Sequence, residues 1–206
     1  MSSDAPSPLA GPRANRKPGP TAGSAYAGMI DTLRDFLDKL AEAGLDEAAA
    51  LALDKDLRAW TERLEEGAVP ENERMFGRVQ DVPGRGQVVS PAFVIDHQDA
   101  TSLRARVSFG TFHHGANGAA HGGVVALLFD ELLGLPVNVD VSTIARTAYL
   151  HVNYRAITPT NKELQATATV TSVDGRKKFV RGELRDGDTL CADAEGLFIE
   201  LRAGQQ

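Results

Sequence analysis

The chain has 206 residues, of which 42% are hydrophobic and 24% are charged, a composition typical of one globular domain with some length left for an extension. Its formal net charge of -6 at pH 7 supplies no overall basic field, which argues against nucleic acid or an anionic membrane surface as the partner. The single cysteine, Cys191, excludes an internal disulfide and a cysteine-based metal site within one chain. Its apolar neighbours predict a buried thiol.

The N-terminal segment, residues 1–23, is rich in Pro, Ser, Gly and Ala. Such a composition buries too little apolar surface to offset the entropy of ordering, so we predict a disordered tail. The segment has no apolar core of signal-peptide length, and no run of about 18 apolar residues occurs anywhere to span a membrane. We therefore expect a cytoplasmic protein without a membrane span.

Two amphipathic helices are predicted next, and we assign residues 24–70 to an N-terminal helical extension and 71–206 to the main domain. The first helix carries apolar residues at helical spacing up to Gly44, which is a natural stop. The second, from about Asp46 to Glu66, has an apolar stripe formed by Leu53, Leu57, Trp60 and Leu64. Since an apolar face needs a partner, we expect a lid or brace on the domain's own surface. A membrane or a partner helix is the alternative.

Strands dominate the main domain. Alternating apolar residues in "SLRARVSFG" and "ELQATATV" predict strands with one buried face, formed by Leu103, Ala105, Val107 and Phe109 in the first and by Leu164, Ala166, Ala168 and Val170 in the second. Asp-Gly pairs at 174–175 and 186–187 predict tight hairpins in an antiparallel meander. In "TIARTAYLHVNYR" the same alternation predicts a buried face formed by Ile144, Ala148, Leu150 and Val152, with Thr147 on the opposite face.

The segment "HGGVVALLFDELLG", residues 121–134, is the one long apolar helix of the main domain. One helix packed on an antiparallel sheet predicts the α+β class. Gly122 and Gly123 stand at the helix start, where backbone N–H groups lack intrahelical acceptors and the helix dipole favours an oxyanion or a polarised carbonyl. The alternative is that these glycines only form a tight turn into the helix.

Asp130 lies within the apolar run, with Ala126, Leu127, Leu133 and Gly134 as its helical neighbours. A buried carboxylate is costly unless it is paired or functional, so Asp130 is a candidate catalytic base. A structural acid bonded to a neighbouring strand is one alternative, and Glu131 as the catalytic acid is another.

Spacing along this helix has a geometric consequence. Gly123 and Asp130 are seven residues apart, which is about 10 Å along a helix. An oxyanion donor and a base that act on the same carbonyl must both lie within about 3 to 4 Å of the reacting atoms. If both groups act, two chains must contribute them, at a two-fold interface.

The helix segment, the following "TAYLHVNYRAITP" and the hairpin "GRKKFV" resemble the hotdog-fold acyl-CoA thioesterases of the PaaI-like and THEM4-like group, over residues 86–201. The resemblance implies an antiparallel sheet wrapped around one central helix. It also implies hydrolysis of an acyl-CoA to free acid and CoA in a homodimer or a dimer of dimers. It makes Asp130 the base or nucleophile and Gly122 the oxyanion donor. Thr147 would hold the acid or the water, and His121 would shape the helix mouth.

Substrate contacts are predicted from the chemistry of coenzyme A. Its phosphates call for cations, and the candidates are Arg155, Arg176, Lys177 and Lys178. A solvated hairpin tip is the alternative for the last three.

The loop "FGTFHHGANGAA" before the helix is long compared with the family pattern. We expect Asn117 to contact the substrate together with Gly123. His113 and His114 are expected to face solvent, and lining the acyl pocket is the alternative.

No cofactor or metal is predicted beyond the thioester substrate itself. The five histidines lack metal-ligand spacing, and no G-x-S-x-G nucleophile motif occurs. The sequence also leaves open a non-catalytic acyl-CoA binding or sensor protein of the same fold. A hotdog dehydratase or hydratase is the third alternative; such enzymes generally pair an acid with a catalytic histidine, and the sequence does not identify such a pair.

Overall fold

The structure, a computed structural model, describes residues 23–79, 81–139 and 144–202. Its helices are α1 (Ser24–Glu42), α2 (Glu47–Glu66) and α3 (Gly122–Val137), and its strands are β1 (Phe93–Gln98), β2 (Ser102–Ser108), β3 (Ala145–Tyr154), β4 (Glu163–Asp174), β5 (Lys177–Asp186) and β6 (Thr189–Glu200). The predicted tail, residues 1–23, lies outside the described residues apart from Gly23. No helix in the described ranges is both long and apolar enough to cross a membrane.

One six-stranded antiparallel sheet forms the main domain, with strand order β1-β2-β4-β5-β6-β3. The two predicted hairpins are confirmed, because β4–β5 and β5–β6 are joined by tight turns in which Gly175 and Gly187 each adopt φ 55°. A positive φ is strained for other residues, which explains glycine at both turns. Strand β3 lies at one edge of the sheet.

The core lies between α3 and the inner face of the sheet. The predicted buried faces of β2 and β4 are confirmed, except that Val170 is only partly buried. Helix α3 contributes Leu128, Phe129, Leu132 and Leu133, all fully buried. At Gly182 of β5 a Cβ would lie 2.7 Å from the Leu133 side chain and 3.2 Å from the Phe129 ring, so glycine allows α3 to approach closely. Cys191 is buried in the same core, as predicted, and burial raises the pKa of its thiol. The α+β class is therefore confirmed.

The buried face predicted for β3 is wrong in its first half. Thr147 pairs with Phe198, and Tyr149 pairs with Leu197, so Ala148 is the extra residue of a β-bulge. A bulge reverses the alternation of side chains along a strand. As a result Ala145 is buried while Ile144 and Ala148 are exposed. Thr147 consequently faces α3 rather than the opposite side.

Helix α1 docks on the main domain through a second, smaller core. Its Ile30 is fully buried against Val79 and Val82. Arg34 donates hydrogen bonds to the carbonyl oxygens of Pro83 and Gln87 at 2.9 and 2.6 Å. Asp38 accepts one from the Phe112 N–H at 3.0 Å. The predicted brace is therefore present for the first helix.

For α2 the expectation of a brace is wrong. No residue of this helix is buried, and Leu57, Trp60 and Leu64 are 49%, 59% and 70% exposed. The local sequence nevertheless fixes the start of the helix, because the N-cap Asp46 accepts a hydrogen bond from the Ala49 N–H at 2.8 Å. The stripe forms because of the local sequence; Leu53 is partly buried, and the other three members of the stripe are exposed.

Candidate active site

The start of α3 is held by His121. This residue is the N-cap, and its Nδ1 accepts a hydrogen bond from the Gly123 N–H at 3.0 Å. The N–H of Gly122, the first residue of the helix, has no intrahelical acceptor. The cap therefore uses one of the two glycine donors and leaves the other at the positive end of the helix dipole.

Tyr154, at the end of β3, contacts the same turn. Its hydroxyl donates to the Gly122 carbonyl oxygen at 2.7 Å. A Cβ at position 122 would lie 3.3 Å from the tyrosine ring and hydroxyl, so a larger residue would press against the ring. Sequence reasoning missed Tyr154, although the parity of β3 after the bulge places it on the side that faces α3.

Asp130 lies in the middle of α3, partly buried, and its Oδ1 accepts a hydrogen bond from the Thr147 hydroxyl at 2.9 Å. The contact depends on the β3 bulge, which turns Thr147 toward the helix. One hydrogen bond leaves further lone pairs on the carboxylate, which can accept a proton or hold a water. Asp130 and Thr147 thus form a polar pair beside an apolar core.

Glu131 has a different partner. Its carboxylate pairs with the guanidinium of Arg85, a residue with positive φ in the short 3-10 segment Pro83–Gly86. Arg34 of α1 donates hydrogen bonds to the carbonyl oxygens at the start of this segment and directly after it. The two adjacent acids of α3 therefore have different partners. Asp130 faces β3, and Glu131 faces an arginine. Nothing in the sequence pattern indicated Arg85.

The two halves of the predicted site remain apart within one chain. Asp130 follows Gly122 by eight residues of continuous helix, which is about 12 Å. A substrate carbonyl that contacts one of these groups is beyond reach of the other.

The candidate cations lie in different surroundings. Arg155 pairs with Asp193 at 2.5 Å, which raises the pKa of the arginine and lowers that of the carboxyl. Arg176 donates to the Glu200 carbonyl oxygen at 2.6 Å. Lys178 contacts the Val137 carbonyl at the end of α3 and the Glu200 carboxylate, at 3.1 and 2.7 Å. Lys177 is exposed, and its ammonium makes no ion pair with the described residues.

In the loop before α3, one of the two neighbouring histidines differs from the prediction. His114 and Asn117 are exposed, and Asn117 has φ 54°. His113 was expected to face solvent but is buried, at 6% exposure. It lies between Phe109 and Phe112, with its ring centroid 3.9 Å from that of Phe112. The prediction failed because α1 covers this loop.

Among the described residues, no group of three or more His, Cys, Asp or Glu side chains is placed to hold a metal ion. The site is built instead from one helix terminus, one carboxylate and their hydrogen-bond partners.

Comparison with known proteins bears on the fold and the family of the chain. The model of the thioesterase superfamily matches residues 117–192. A thioesterase superfamily protein known from its crystal structure is 31% identical, over 87% of this chain and 97% of that chain, with a TM-score of 0.73. The acyl-coenzyme A thioesterase THEM5 of Mus musculus is 22% identical over 193 residues, 86% of this chain and 72% of the relative. A thioesterase from Haemophilus influenzae shares the fold, with 14% identity and a TM-score of 0.50 over 55% of this chain and 81% of that chain.

The chain belongs to the thioesterase superfamily, since the match at 31% identity spans nearly the full length of both chains. The hotdog fold expected from the α3 motif is thereby confirmed, and membership supports thioester hydrolase activity.

Proposed function

We propose that the protein hydrolyses acyl-CoA thioesters at a site shared by two copies of the chain. The observation that carries the proposal is the Asp130–Thr147 pair, which holds a partly buried carboxylate about 12 Å from the donor end of its own helix. The name of the mouse relative supports acyl-CoA as the substrate class. The proposed reaction uses no cofactor.

The edge position of β3 favours pairing between copies. This strand is ten residues long and pairs only with β6 in the described chain, so its outer backbone groups are available to another strand. Two β3 strands that pair across a two-fold axis would bring the two α3 helices alongside each other in opposite directions. Each site would then combine Asp130 and Thr147 of one copy with His121, Gly122 and Gly123 of the other.

The chemistry follows from these positions. The Gly122 N–H stabilises the oxyanion that forms when the thioester carbonyl is attacked. Asp130 accepts a proton from a water whose oxygen attacks the carbonyl carbon, or its carboxylate attacks directly. The C–S bond then breaks, and the CoA thiolate takes up a proton. After attack by water this step releases the free acid, whereas after direct attack it leaves an acyl–Asp130 anhydride that a water must hydrolyse. Thr147 keeps the carboxylate in position, and Tyr154 keeps the first turn of α3 in position.

The CoA moiety would bind along the sites of positive charge. Lys177 and Arg176 are the most accessible to phosphates, whereas Arg155 and Lys178 would have to share their guanidinium or ammonium with Asp193 and Glu200. Asn117 and Gly123 are the proposed contacts near the reacting carbonyl. Because the Gly123 N–H donates to His121, Gly123 would contact the substrate by van der Waals packing and not as a donor.

The first test is release of free CoA from a panel of short, long and aromatic acyl-CoAs. Asp130→Asn is expected to lower kcat by about 10²- to 10⁴-fold, the usual range for loss of a positioned base. Glu131→Gln is the matched control, because it alters the neighbouring acid that pairs with Arg85. If the wild-type protein binds acyl-CoA tightly but releases no thiol, the proposal of hydrolysis is wrong. The protein is then a non-catalytic acyl-CoA binding or sensor protein.

A complementation experiment tests whether two copies share the site. Asp130→Asn and Gly122→Val chains are each expected to be inactive alone. In a mixed dimer one site receives both substitutions and the other receives neither. Random mixing should therefore restore about a quarter of wild-type activity, since half the dimers are mixed and half their sites are intact. A mixture that stays inactive although mixed dimers form would contradict a shared site.

A further inference from the structure

We propose that α2 is an interaction surface for a second copy of this chain, and that it pairs antiparallel with α2 of that copy. The inference is independent of catalysis. It begins from the stripe of Leu53, Leu57, Trp60 and Leu64, which lies on a 20-residue helix with no buried residue. Globular proteins rarely leave a contiguous apolar patch uncovered unless it binds something.

The spacing of the stripe indicates a helical partner. Successive members are separated by four, three and four residues, the spacing of a coiled-coil seam. At 100° per residue the four side chains fall within about 60° of one another on the helix surface. Such a narrow seam fits a second helix better than a sheet or a membrane, which cover a broader face.

Charge complementarity selects the partner and its direction. In an antiparallel pair Leu57 packs against Trp60 of the second copy, and Leu53 packs against Leu64 of that copy. This register brings Asp56 beside Arg63 of the second copy, and the two-fold axis repeats the ion pair. Within the described chain neither Asp56 nor Arg63 has an ion-pair partner, and Arg63 lies over the Trp60 ring at 5.1 Å.

A parallel pair is less favourable. It would stack Trp60 on its own copy and bring Asp56 beside Thr61, so no ion pair would form across the seam. Opposite charges beside the seam set partner choice and orientation in coiled coils. The antiparallel arrangement is the one in which both the apolar layers and the charges match.

Disulfide crosslinking tests the register directly. Positions 53 and 64 are eleven residues apart on one helix, about 16 Å, so they cannot bridge within a chain. The Leu53→Cys/Leu64→Cys double variant of the full chain is expected to form a covalent two-chain species under mild oxidation. Either single variant should not, and the wild-type chain is a control because Cys191 is buried.

Charge reversal distinguishes crosslinking at the proposed interface from crosslinking by random encounters between chains. In the double-cysteine background, Asp56→Arg is expected to lose the crosslink, and adding Arg63→Asp should restore it. Leu57→Glu should abolish the crosslink, whereas Leu51→Glu, on the opposite face of α2, should leave it unchanged. Equal crosslinking in all variants, or none in the double-cysteine protein, would overturn the proposal.

Tryptophan emission gives a second measurement on a chain without added cysteines. Trp60 is the only tryptophan, so its spectrum reports on α2 alone. Pairing predicts a red shift and easier quenching in Leu57→Glu but not in Leu51→Glu.

A Leu57→Cys variant that crosslinks to itself would indicate parallel pairing. Sedimentation with phosphatidylcholine vesicles, dependent on Leu57 and without crosslinking, would identify a membrane surface as the partner; either result would overturn the proposal.

Discussion

Helices α1 and α2 are similar in length, at 19 and 20 residues, and both carry an apolar stripe, yet only α1 docks on the chain's own domain. The difference lies in their polar groups. On α1, Tyr26, Arg34 and Asp38 each reach a backbone group of the main domain. On α2, the hydrogen bonds and ion pairs of the side chains stay within the helix and its cap. An apolar stripe indicates that a face will be covered, and the polar groups decide what covers it.

The largest effect is expected from removing apolar volume from each helix. Ile30→Ala leaves a cavity in the small core and should lower the free energy of unfolding by about 2 to 5 kcal/mol. Leu51→Ala changes a position that is 65% exposed, on the face of α2 opposite the stripe, and should alter it by about 0.5 kcal/mol or less. Denaturant unfolding followed by far-UV circular dichroism measures both. Equal losses would show that α2 is part of the same folding unit, contrary to the comparison.

A smaller loss is expected from the polar anchor of α1. Arg34→Ala removes the charged hydrogen bonds to the carbonyls of Pro83 and Gln87, and should cost about 1.5 to 3 kcal/mol. Arg58→Ala is the matched change on α2, where the arginine pairs with Asp54 at the surface. A pair this exposed is screened by solvent and contributes little, so a much smaller loss is expected. Urea denaturation of both variants compares them, and a larger loss in Arg58→Ala would contradict the assignment of the anchor.

A pH-dependent effect is expected where α1 covers His113. Burial lowers the pKa of this imidazole below its usual 6.5; the nearby Asp38 opposes the shift, and the nearby Arg34 reinforces it. The unfolded state therefore binds the proton more readily. The stabilising contribution is present above pH 6.5 and is lost as the pH falls from there toward the folded-state pKa.

The measurement is the melting temperature at pH 7.5 and at pH 5.5. His113→Leu should reduce the difference between the two values, whereas His114→Asn, at the neighbouring exposed position, should retain it. An unchanged difference in His113→Leu would remove His113 as its source.

The smallest effect is expected at the cap of α2. Asp46→Ala removes the hydrogen bond to the Ala49 N–H and should destabilise this helix by about 1 kcal/mol. Amide hydrogen exchange should become faster in α2 and stay unchanged in α1 and the sheet. Faster exchange throughout the sheet would mean that α2 does not open independently.

Much of the fold could be predicted from local patterns. The bounds of α1 and α2, the two Asp-Gly hairpins and the buried faces of β2 and β4 depend on spacing and turn residues that lie close together in the chain. The same holds for α3, where an acid inside an apolar run indicated a site.

Features that depend on contacts between distant segments could not be predicted. The bulge at Ala148 has no sequence signal of its own, and it decides that Thr147 reaches Asp130. The partner of Glu131 lies 46 residues earlier, and His113 is buried only because α1 packs over it. In each case tertiary packing determined the environment of a side chain whose neighbours in sequence gave a different answer.

The buried thiol of Cys191 can report how often the core opens. The thiol is fully enclosed by the α3–sheet core, so an alkylating reagent in solution must wait until that core opens. Since the chain has no other cysteine, every modification reports on the opening of this one region. The rate of alkylation under native conditions, divided by the rate for a free thiol, therefore gives the equilibrium fraction of molecules whose catalytic scaffold is open when opening is fast and reversible.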